Sequence, residues 1–467
     1  MESLNPFTGK VVERYREMTY DQANEAIGLA HGAHLDWRRR NFAERARPMR
    51  RAAALLRERA EEYGRLMAVE MGKPIRDGIG EARKCATGCD FYAENAQRFL
   101  APQPVALEGR SGCVVFNPLG VLLAVMPWNF PFWQVIRFAA PALMAGNAGV
   151  LKHAANVPGC ALALEKLFHD AGFPEHLFRT LLIGNSAVEA VIEHPLVRAV
   201  SLTGSSGAGR AVASAAGRCL KKCVLELGGS DAYLVLADAD VGFAAAQSAK
   251  GRLVNGGQSC IAAKRFIVVE SRREEFERAL VSEMAKAKSG DPLDETTTLG
   301  PLARRDLRDS LHAQVQRSVA LGARCLTGGE IPPGEGAFYP PTVLAHVCKG
   351  MPAHDEEMFG PVAAVIAAKD EEDAIRLAND SEFGLGGGVF TRDLARGEAL
   401  AADMIEAGLV FVNAPVESNP QLPFGGVKES GYGRELSSFG IHEFVNIKTV
   451  VVAPHGADAS SQAAHSE

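Results

Sequence analysis

The sequence Val224-Leu-Glu-Leu-Gly-Gly229 separates two stretches of chain that share one pattern. In both stretches, short runs rich in β-branched residues alternate with alanine-rich segments of helical length. Alternating strands and helices predict parallel sheets whose two faces are covered by helices. We therefore predict an α/β fold with two parallel-sheet lobes, one on each side of about residue 228.

The composition narrows the functional classes. The chain has 467 residues, of which 47% are hydrophobic and 23% are charged, the balance of an ordinary globular protein. The net charge is −6 and no basic block is present, so we expect no nucleic-acid partner. No apolar run reaches the roughly 18 residues of a membrane helix, and the N-terminus lacks a secretory pattern. We expect a cytoplasmic protein with no membrane partner.

The nine cysteines are scattered along the chain without the spacing of a metal site. Most are therefore expected to be reduced, structural thiols, and no metal is expected. The segment Asn255-Gly-Gly-Gln-Ser-Cys260 differs because small residues leave its sulfur reachable, and backbone N–H groups there could face an oxyanion. A lone cysteine is usually inert, so this segment alone is weak support for a nucleophile.

Glu226 is an acid at the end of an apolar strand. Partial burial would raise its pKa toward the range of a general base; the alternative is a buried ion pair that holds the loop.

The segment Met126-Pro-Trp-Asn-Phe-Pro131 fixes Asn129 between two prolines. Its neutral amide could donate to an oxyanion, or the segment could be a rigid packing corner.

Two further motifs suggest that a nucleotide binds, whereas a third, Lys152, does not on its own. Gly204 and Ser205 follow a strand and open a helix, where a pyrophosphate would bind, although the GxGxxG spacing is absent. Glu357 and Phe359 precede a turn, where an acid could bind a ribose and a ring could pack on nicotinamide. Lys152 ends a strand, a place where a lysine is usually only solvated.

Taken together, these motifs resemble the aldehyde dehydrogenase superfamily. PWNFP, LK, TGS, LELGG, GQxC and EMFGP occur in family order, followed by Pro423-Phe-Gly-Gly-Val-Lys-Glu-Ser-Gly-Tyr-Gly-Arg-Glu435. The likeness extends from Asn5 to about Thr449. It implies that Cys260 is the nucleophile, that Glu226 activates the deacylating water, and that Asn129 holds the oxyanion. The positions it assigns to the cofactor, NAD or NADP, are Trp128, Lys152, Ala155, Gly204, Ser205, Leu227, Glu357 and Phe359.

The resemblance also implies a domain plan of two Rossmann-like lobes and a small β oligomerisation flap. The cofactor-binding domain would comprise residues 1–112 and 126–228, with 430–447 returning to it, and the catalytic domain 229–429. The flap, residues 113–125 and 448–460, would join subunits into a homodimer or homotetramer, and Thr449–Ala453 has the β-rich sequence of such a strand. Residues 461–467 would be a disordered tail.

Within the family, the chain is most similar to the short bacterial succinate-semialdehyde dehydrogenases, which lack the usual opening hairpin. Arg137, eight residues after Asn129, matches an arginine that binds the substrate carboxylate there; otherwise it is a structural helix arginine. Trp133 and Ser259 would also contact substrate. A second arginine of some relatives is Val254 here, and Ala155 replaces an acid common in NAD-specific relatives, so NADP should be tolerated.

The predicted function is therefore NAD(P)-dependent oxidation of an aldehyde, succinate semialdehyde first, through a cysteine thiohemiacetal and thioester. Another short or aromatic aldehyde is the alternative substrate. A CoA-acylating enzyme is disfavoured because such relatives typically lack a base at the position of Glu226. A catalytically idle binding protein would have been expected to lose at least one of the three catalytic residues. A cysteine hydrolase needs a histidine, and only His153 stands beside a motif.

Overall fold

The computed structural model describes residues 1–453, in which helices and strands alternate over most of the chain. The strands, in chain order, are β1 Glu2–Leu4, β2 Val11–Arg14, β3 Gln103–Leu107, β4 Arg110–Pro118, β5 Val121–Met126, β6 Ala148–His153, β7 Phe178–Thr180, β8 Val197–Thr203, β9 Lys222–Glu226, β10 Asp231–Val235, β11 Ala263–Val269, β12 Arg324–Thr327, β13 Thr342–Ala345, β14 Val362–Ala368, β15 Phe383–Gly384, β16 Gly386–Phe390, β17 Leu409–Val412, β18 Val427–Lys428, β19 Gly431–Tyr432 and β20 Val445–Val452.

The helices begin and end where the sequence supplies capping groups. Thr19 and Asn41 each form a capping box at the start of a helix, and Gly72, with φ 77°, ends another. The helices are α1 Tyr20–Trp37, α2 Phe42–Glu58, α3 Ala60–Met71, α4 Ile75–Phe99, α5 Trp133–Met144, α6 Pro158–Asp170, α7 Val188–Glu193, α8 Ser206–Arg218, α9 Val241–Leu253, α10 Glu270–Met284, α11 Arg305–Ala320, α12 Pro352–Asp355, α13 Glu371–Asn379, α14 Leu394–Ala399 and α15 Ser437–Glu443.

Two large sheets organise the molecule, and both are parallel except at one edge. The first has the order β19-β9-β8-β5-β6-β7, in which β19 runs antiparallel to β9. The second has the order β12-β13-β14-β11-β10-β16-β17, in which β12 is antiparallel. Both are rich in buried aliphatic residues, as expected of strands covered on two faces. The predicted α/β class with two parallel-sheet lobes is confirmed.

A small antiparallel sheet, β20-β4-β3, stands apart from the two large ones. Its strand β20 exposes apolar side chains, with Ile447 63% and Val452 60% exposed. The predicted flap boundaries need correction, because this sheet begins at Gln103, whereas Val121–Met126 lies inside the six-stranded sheet. The buried apolar run of β5 needs neighbours on both edges, and β6 and β8 provide them. The predicted tail, 461–467, lies outside the described residues.

The expected absence of an opening hairpin was wrong, since β1 and β2 pair antiparallel. Among residues 1–453, no helix is both long and apolar enough to cross a membrane. That same part of the chain contains no cluster of histidine, cysteine and acidic side chains that could hold a metal ion.

Candidate active site

The residues predicted to carry chemistry lie where strands of the two large sheets end or begin. Glu226 is the last residue of β9, Asn129 follows β5 by three residues, and Cys260 precedes β11 by three. Ligands of parallel sheets bind at the carboxyl ends of the strands. The fold therefore brings the predicted nucleophile, base and oxyanion donor to one region between the lobes.

The loop before Cys260 has an unusual backbone. Asn255, Gly256 and Gly257 have φ values of 53°, 64° and 76°, three consecutive residues in the left-handed region that favours glycine. The buried guanidinium of Arg252 donates to the Gly257 carbonyl at 2.6 Å. A short 3₁₀ turn thus ends in a tight loop that places Cys260 at its tip.

Asn129 is held in one orientation by three hydrogen bonds. Its Nδ2 donates to the Gln258 carbonyl at 3.0 Å, and its Oδ1 accepts from Gln134 Nε2 at 3.0 Å. Its own carbonyl accepts from Asn255 Nδ2 at 2.8 Å. An amide nitrogen carries two hydrogens, so one N–H of Asn129 remains to donate to an oxyanion.

Glu226 is 2% exposed, and neither carboxylate oxygen has a hydrogen-bond partner within residues 1–453. Burial raises the pKa of this carboxyl well above its usual range, and the neighbouring Glu435 raises it further. Arg137 and Arg434 oppose the shift. An unpartnered buried carboxyl with a raised pKa is the state expected of a general base.

Cys260 is partly accessible, and its thiol faces a cavity of about 430 Å³. Desolvation raises the pKa of this thiol to about 12, while Arg137 and Lys264 act in the opposite direction. The predicted substrate residues Trp133, Arg137 and Ser259 all line the same cavity. The structure therefore brings these three side chains together with Cys260.

Arg137 has partners of its own. Its guanidinium pairs with the buried carboxylate of Glu435, donates to Thr203 Oγ1 at 3.3 Å, and stacks on Phe424 at 4.5 Å. The side chain is 3% exposed. Arg137 therefore forms the structural contacts that the sequence left open as an alternative, and it also lines the cavity.

The residues predicted to bind the cofactor form a second set of contacts. Gly229 N–H donates to Glu357 Oε1 at 3.0 Å, and the half-buried rings of Trp128 and Phe359 meet edge to face at 5.8 Å. Lys152 Nζ donates to Asn185 Oδ1 at 2.5 Å at the end of β6.

The predicted pyrophosphate loop lies at a helix N-terminus. Gly204 precedes Ser205, whose Oγ caps α8 by accepting from Ala208 N–H at 3.3 Å. Leu227 packs against Gly209 of α8 so closely that a Cβ at that glycine would meet it at 2.5 Å. Ala155 is exposed and lines a separate cavity of about 650 Å³.

The sequence analysis assigned no role to Lys264, which donates hydrogen bonds to the loop that carries Cys260. Its ammonium, 1% exposed, donates to the carbonyls of Ser259 at 2.9 Å and Cys260 at 2.8 Å. The same nitrogen lies 3.5 Å from Glu357 Oε1. A lysine entering the apolar strand β11 was the available signal, because a buried cation must be paired.

Two other residues gained importance only from the structure. Glu435 was quoted as part of a motif, but its pairing with Arg137 joins segments almost 300 residues apart. Lys84 stands on α4, far from every motif in sequence, yet it lines the cavity in front of Cys260.

Known proteins share both the sequence and the structure. The aldehyde dehydrogenase family profile matches residues 1–450. The NAD(P)+ succinate semialdehyde dehydrogenase Sad of Escherichia coli K12 is 48% identical and covers 96% of this chain and 97% of its own. An aldehyde dehydrogenase of Paenarthrobacter nicotinovorans is 50% identical, covering 96% and 98%.

Among solved structures, the succinic semialdehyde dehydrogenase of Streptococcus pyogenes in complex with NADP+ superposes with a TM-score of 0.95 at 37% identity. The match covers 97% of this chain and all of that one. Profile, sequence and structure agree over nearly the full length, and the chain belongs to the aldehyde dehydrogenase family.

Proposed function

We propose that this protein oxidises a short aldehyde bearing a carboxylate, succinate semialdehyde first, to the corresponding acid with NAD or NADP. The observation that carries the proposal is the cavity in front of Cys260, which is lined by the cations Lys84, Arg137 and Lys250. Relatives named for succinate semialdehyde, 47–48% identical over nearly their whole length, support the same substrate.

The Cys260 thiol loses its proton to solvent water, and the thiolate then adds to the aldehyde carbon, giving a thiohemiacetal whose oxygen carries negative charge. The free N–H of Asn129 and the backbone N–H of Cys260 stabilise that oxygen, at about 3–4 kcal/mol per donor in comparable sites. Because the Asn129 amide is already oriented by Gln258 and Gln134, it needs no rearrangement as the charge develops.

A bound nicotinamide supplies the acceptor for the hydride that leaves the former aldehyde carbon. The residues present fit such a cofactor: Glu357 would accept from a ribose hydroxyl, Trp128 and Phe359 offer half-buried rings, and the N-terminus of α8 would receive phosphate. Loss of hydride leaves a thioester on Cys260.

Glu226 then accepts a proton from water, which attacks the thioester carbonyl and releases the carboxylic acid and the thiol. The raised pKa makes the ionised Glu226 a stronger base, and it holds the proton available for the departing sulfur. No partner side chain within residues 1–453 holds the carboxylate, so it is free to bind that water.

Both NAD and NADP are proposed as cofactors. Residue 155 is alanine where NAD-specific relatives often carry an acid, so this position does not repel a 2′-phosphate. Relatives described as NAD(P)+- and NADP+-dependent support this tolerance.

A homodimer or homotetramer is proposed, with the β20-β4-β3 sheet as the joining element. Its support is the exposed apolar strand β20, whose edge could pair with another subunit. Location in the cytoplasm stays a prediction from the sequence.

The test is a comparison of aldehydes. Formation of NADH and NADPH should be followed with succinate semialdehyde, glutarate semialdehyde, butanal and benzaldehyde, with Cys260→Ala as the control. We expect the acid semialdehydes to have the highest kcat/KM and the variant to lose all activity. A preference for uncharged aldehydes would overturn the substrate, and a fully active Cys260→Ala would overturn the mechanism.

A further inference from the structure

Three cations line the Cys260 cavity; Lys250 is exposed to solvent, whereas Arg137 is buried and Lys84 half-buried, and these two have very different surroundings. Arg137 is already paired with the carboxylate of Glu435. Lys84, half-buried on α4, forms no ion pair with any carboxylate among the described residues. A cation that lines a substrate cavity without a counter-ion is the group most able to bind an incoming anion.

The hydrogen bonds around Lys84 leave donors facing the cavity. Lys84 Nζ donates to Ser418 Oγ at 2.7 Å and lies 4.8 Å from the centre of the Trp133 ring. Trp133 Nε1 donates to the same Ser418 oxygen at 3.0 Å. Because a hydroxyl oxygen has two lone pairs, Ser418 is saturated as an acceptor and can act further only as a donor.

Lys84 and Ser418 therefore present an ammonium and a hydroxyl hydrogen with no acidic partner. A carboxylate, which only accepts hydrogen bonds, complements both groups. An uncharged alkyl chain would offer no acceptor to the remaining ammonium hydrogens of Lys84 or to the hydroxyl hydrogen of Ser418, which disfavours its binding.

We propose that Lys84, with Ser418, binds the free carboxylate of the aldehyde substrate and determines the preference for acid semialdehydes. This inference rests on the proposed oxidation of an aldehyde at Cys260. Arg137, already neutralised by Glu435, shapes the cavity wall and adds a positive field rather than a free cation.

The charges that face Lys84 agree with this role. Burial, together with the charge of Arg137, lowers the pKa of Lys84 to about 8, although Glu417, Cys85 and Glu81 act in the opposite direction. A bound carboxylate favours the protonated lysine, so acid binding weakens as pH rises through about 8.

The test compares Lys84→Met, which keeps most of the stem, with Lys84→Arg, which keeps the charge. Arg83→Met is the matched control, because it removes an exposed cation from the next position of α4. We expect Lys84→Met to lower kcat/KM for succinate semialdehyde about 10- to 100-fold, mainly through KM, with butanal changed less than about threefold. Lys84→Arg should keep most of the acid preference, and Arg83→Met should leave both substrates unchanged.

An equal loss for both aldehydes in Lys84→Met would overturn the inference. A second measurement separates it from the proposed reaction: the binding of succinate, an unreactive dicarboxylate, by calorimetry at several pH values. We expect wild-type affinity to fall above pH 8 and Lys84→Met to bind weakly at every pH. If the wild type oxidises no aldehyde, the proposed function fails, but this calorimetry still decides whether Lys84 binds a carboxylate; unchanged succinate affinity in Lys84→Met would refute it.

Discussion

The loop that carries Cys260 differs from the part of the cavity wall formed by Lys84 and Ser418 in how its hydrogen-bond donors are used. In the loop, Asn255, Gln258 and Lys264 each bond carbonyls of the loop or of its neighbours. In the wall, Lys84 and Ser418 hold donors that no described carboxylate accepts. We propose that the hydrogen bonds of the loop fix the geometry of the reaction and that Lys84 and Ser418 select which aldehyde binds.

This difference explains how one family can keep a reaction and change its substrate. A preorganised network loses its function when any member is removed, because its groups act together. In a cavity wall, substitution of a single charged side chain can change only the relative kcat/KM values of different substrates. Variants in the two regions should therefore differ in which kinetic parameter they change.

The largest effect is expected from Glu226→Gln, which keeps the shape and removes the base. Turnover should fall about 10²- to 10⁴-fold. Because the deprotonated carboxylate is the active form and its pKa is raised, wild-type kcat should increase with pH until Glu226 is ionised, and the variant should lack that increase. A pH profile of kcat measures both, and an unchanged profile would remove Glu226 from the role of base.

Asn129→Ala should lower kcat about 10²- to 10³-fold by removing one oxyanion donor. Equal losses for succinate semialdehyde and butanal are expected, since the amide contacts the reacting oxygen and not the carboxylate. A loss confined to the acid substrate would contradict the division between loop and wall. Gln134→Met, which removes only the bond to Asn129 Oδ1, should give a smaller loss of the same kind.

Lys264→Met tests whether the buried cation under the loop also activates the thiol. Its charge lowers the pKa of Cys260, so its removal should reduce the thiolate fraction and slow alkylation by iodoacetamide by about tenfold. Lys264→Arg should retain most of the rate if charge is responsible. A normal alkylation rate in a correctly folded Lys264→Met would limit Lys264 to holding the loop.

The smallest effect is expected outside both regions, at Ala155. In Ala155→Glu a carboxylate would repel the 2′-phosphate, so KM for NADP should rise about tenfold while KM for NAD changes little. Aldehyde preference should stay as in the wild type. Initial rates with each cofactor provide the measurement, and a parallel rise for both cofactors would show that Ala155 does not distinguish them.

The sequence predicted the fold class and the family because both depend on local patterns. Alternating strands and helices identify parallel sheets, and motifs in a fixed order identify the family. The flap boundary was predicted wrongly at Val121–Met126, since an apolar run fits a flap strand or a central strand equally well, and only the pairing with β6 and β8 decides.

Contacts between residues far apart in the chain could not be predicted from the sequence either. Nothing local at Arg137 reveals that Glu435 neutralises it, and nothing at Lys84 reveals that α4 borders the cavity. Both facts arise from tertiary packing. The roles assigned to Cys260, Glu226, Asn129 and the cofactor residues stay predictions that the geometry supports and the variants above test.

The pairing of β19 with β9 has a consequence for biosynthesis. Gly431 lies opposite Glu226, so the edge of the sheet beside the proposed base is completed by a segment made more than 200 residues later. During translation at about 5–20 residues per second, that delay lasts roughly 10–40 s. A nascent chain thus carries Glu226 for many seconds before the strand that pairs with it has been made.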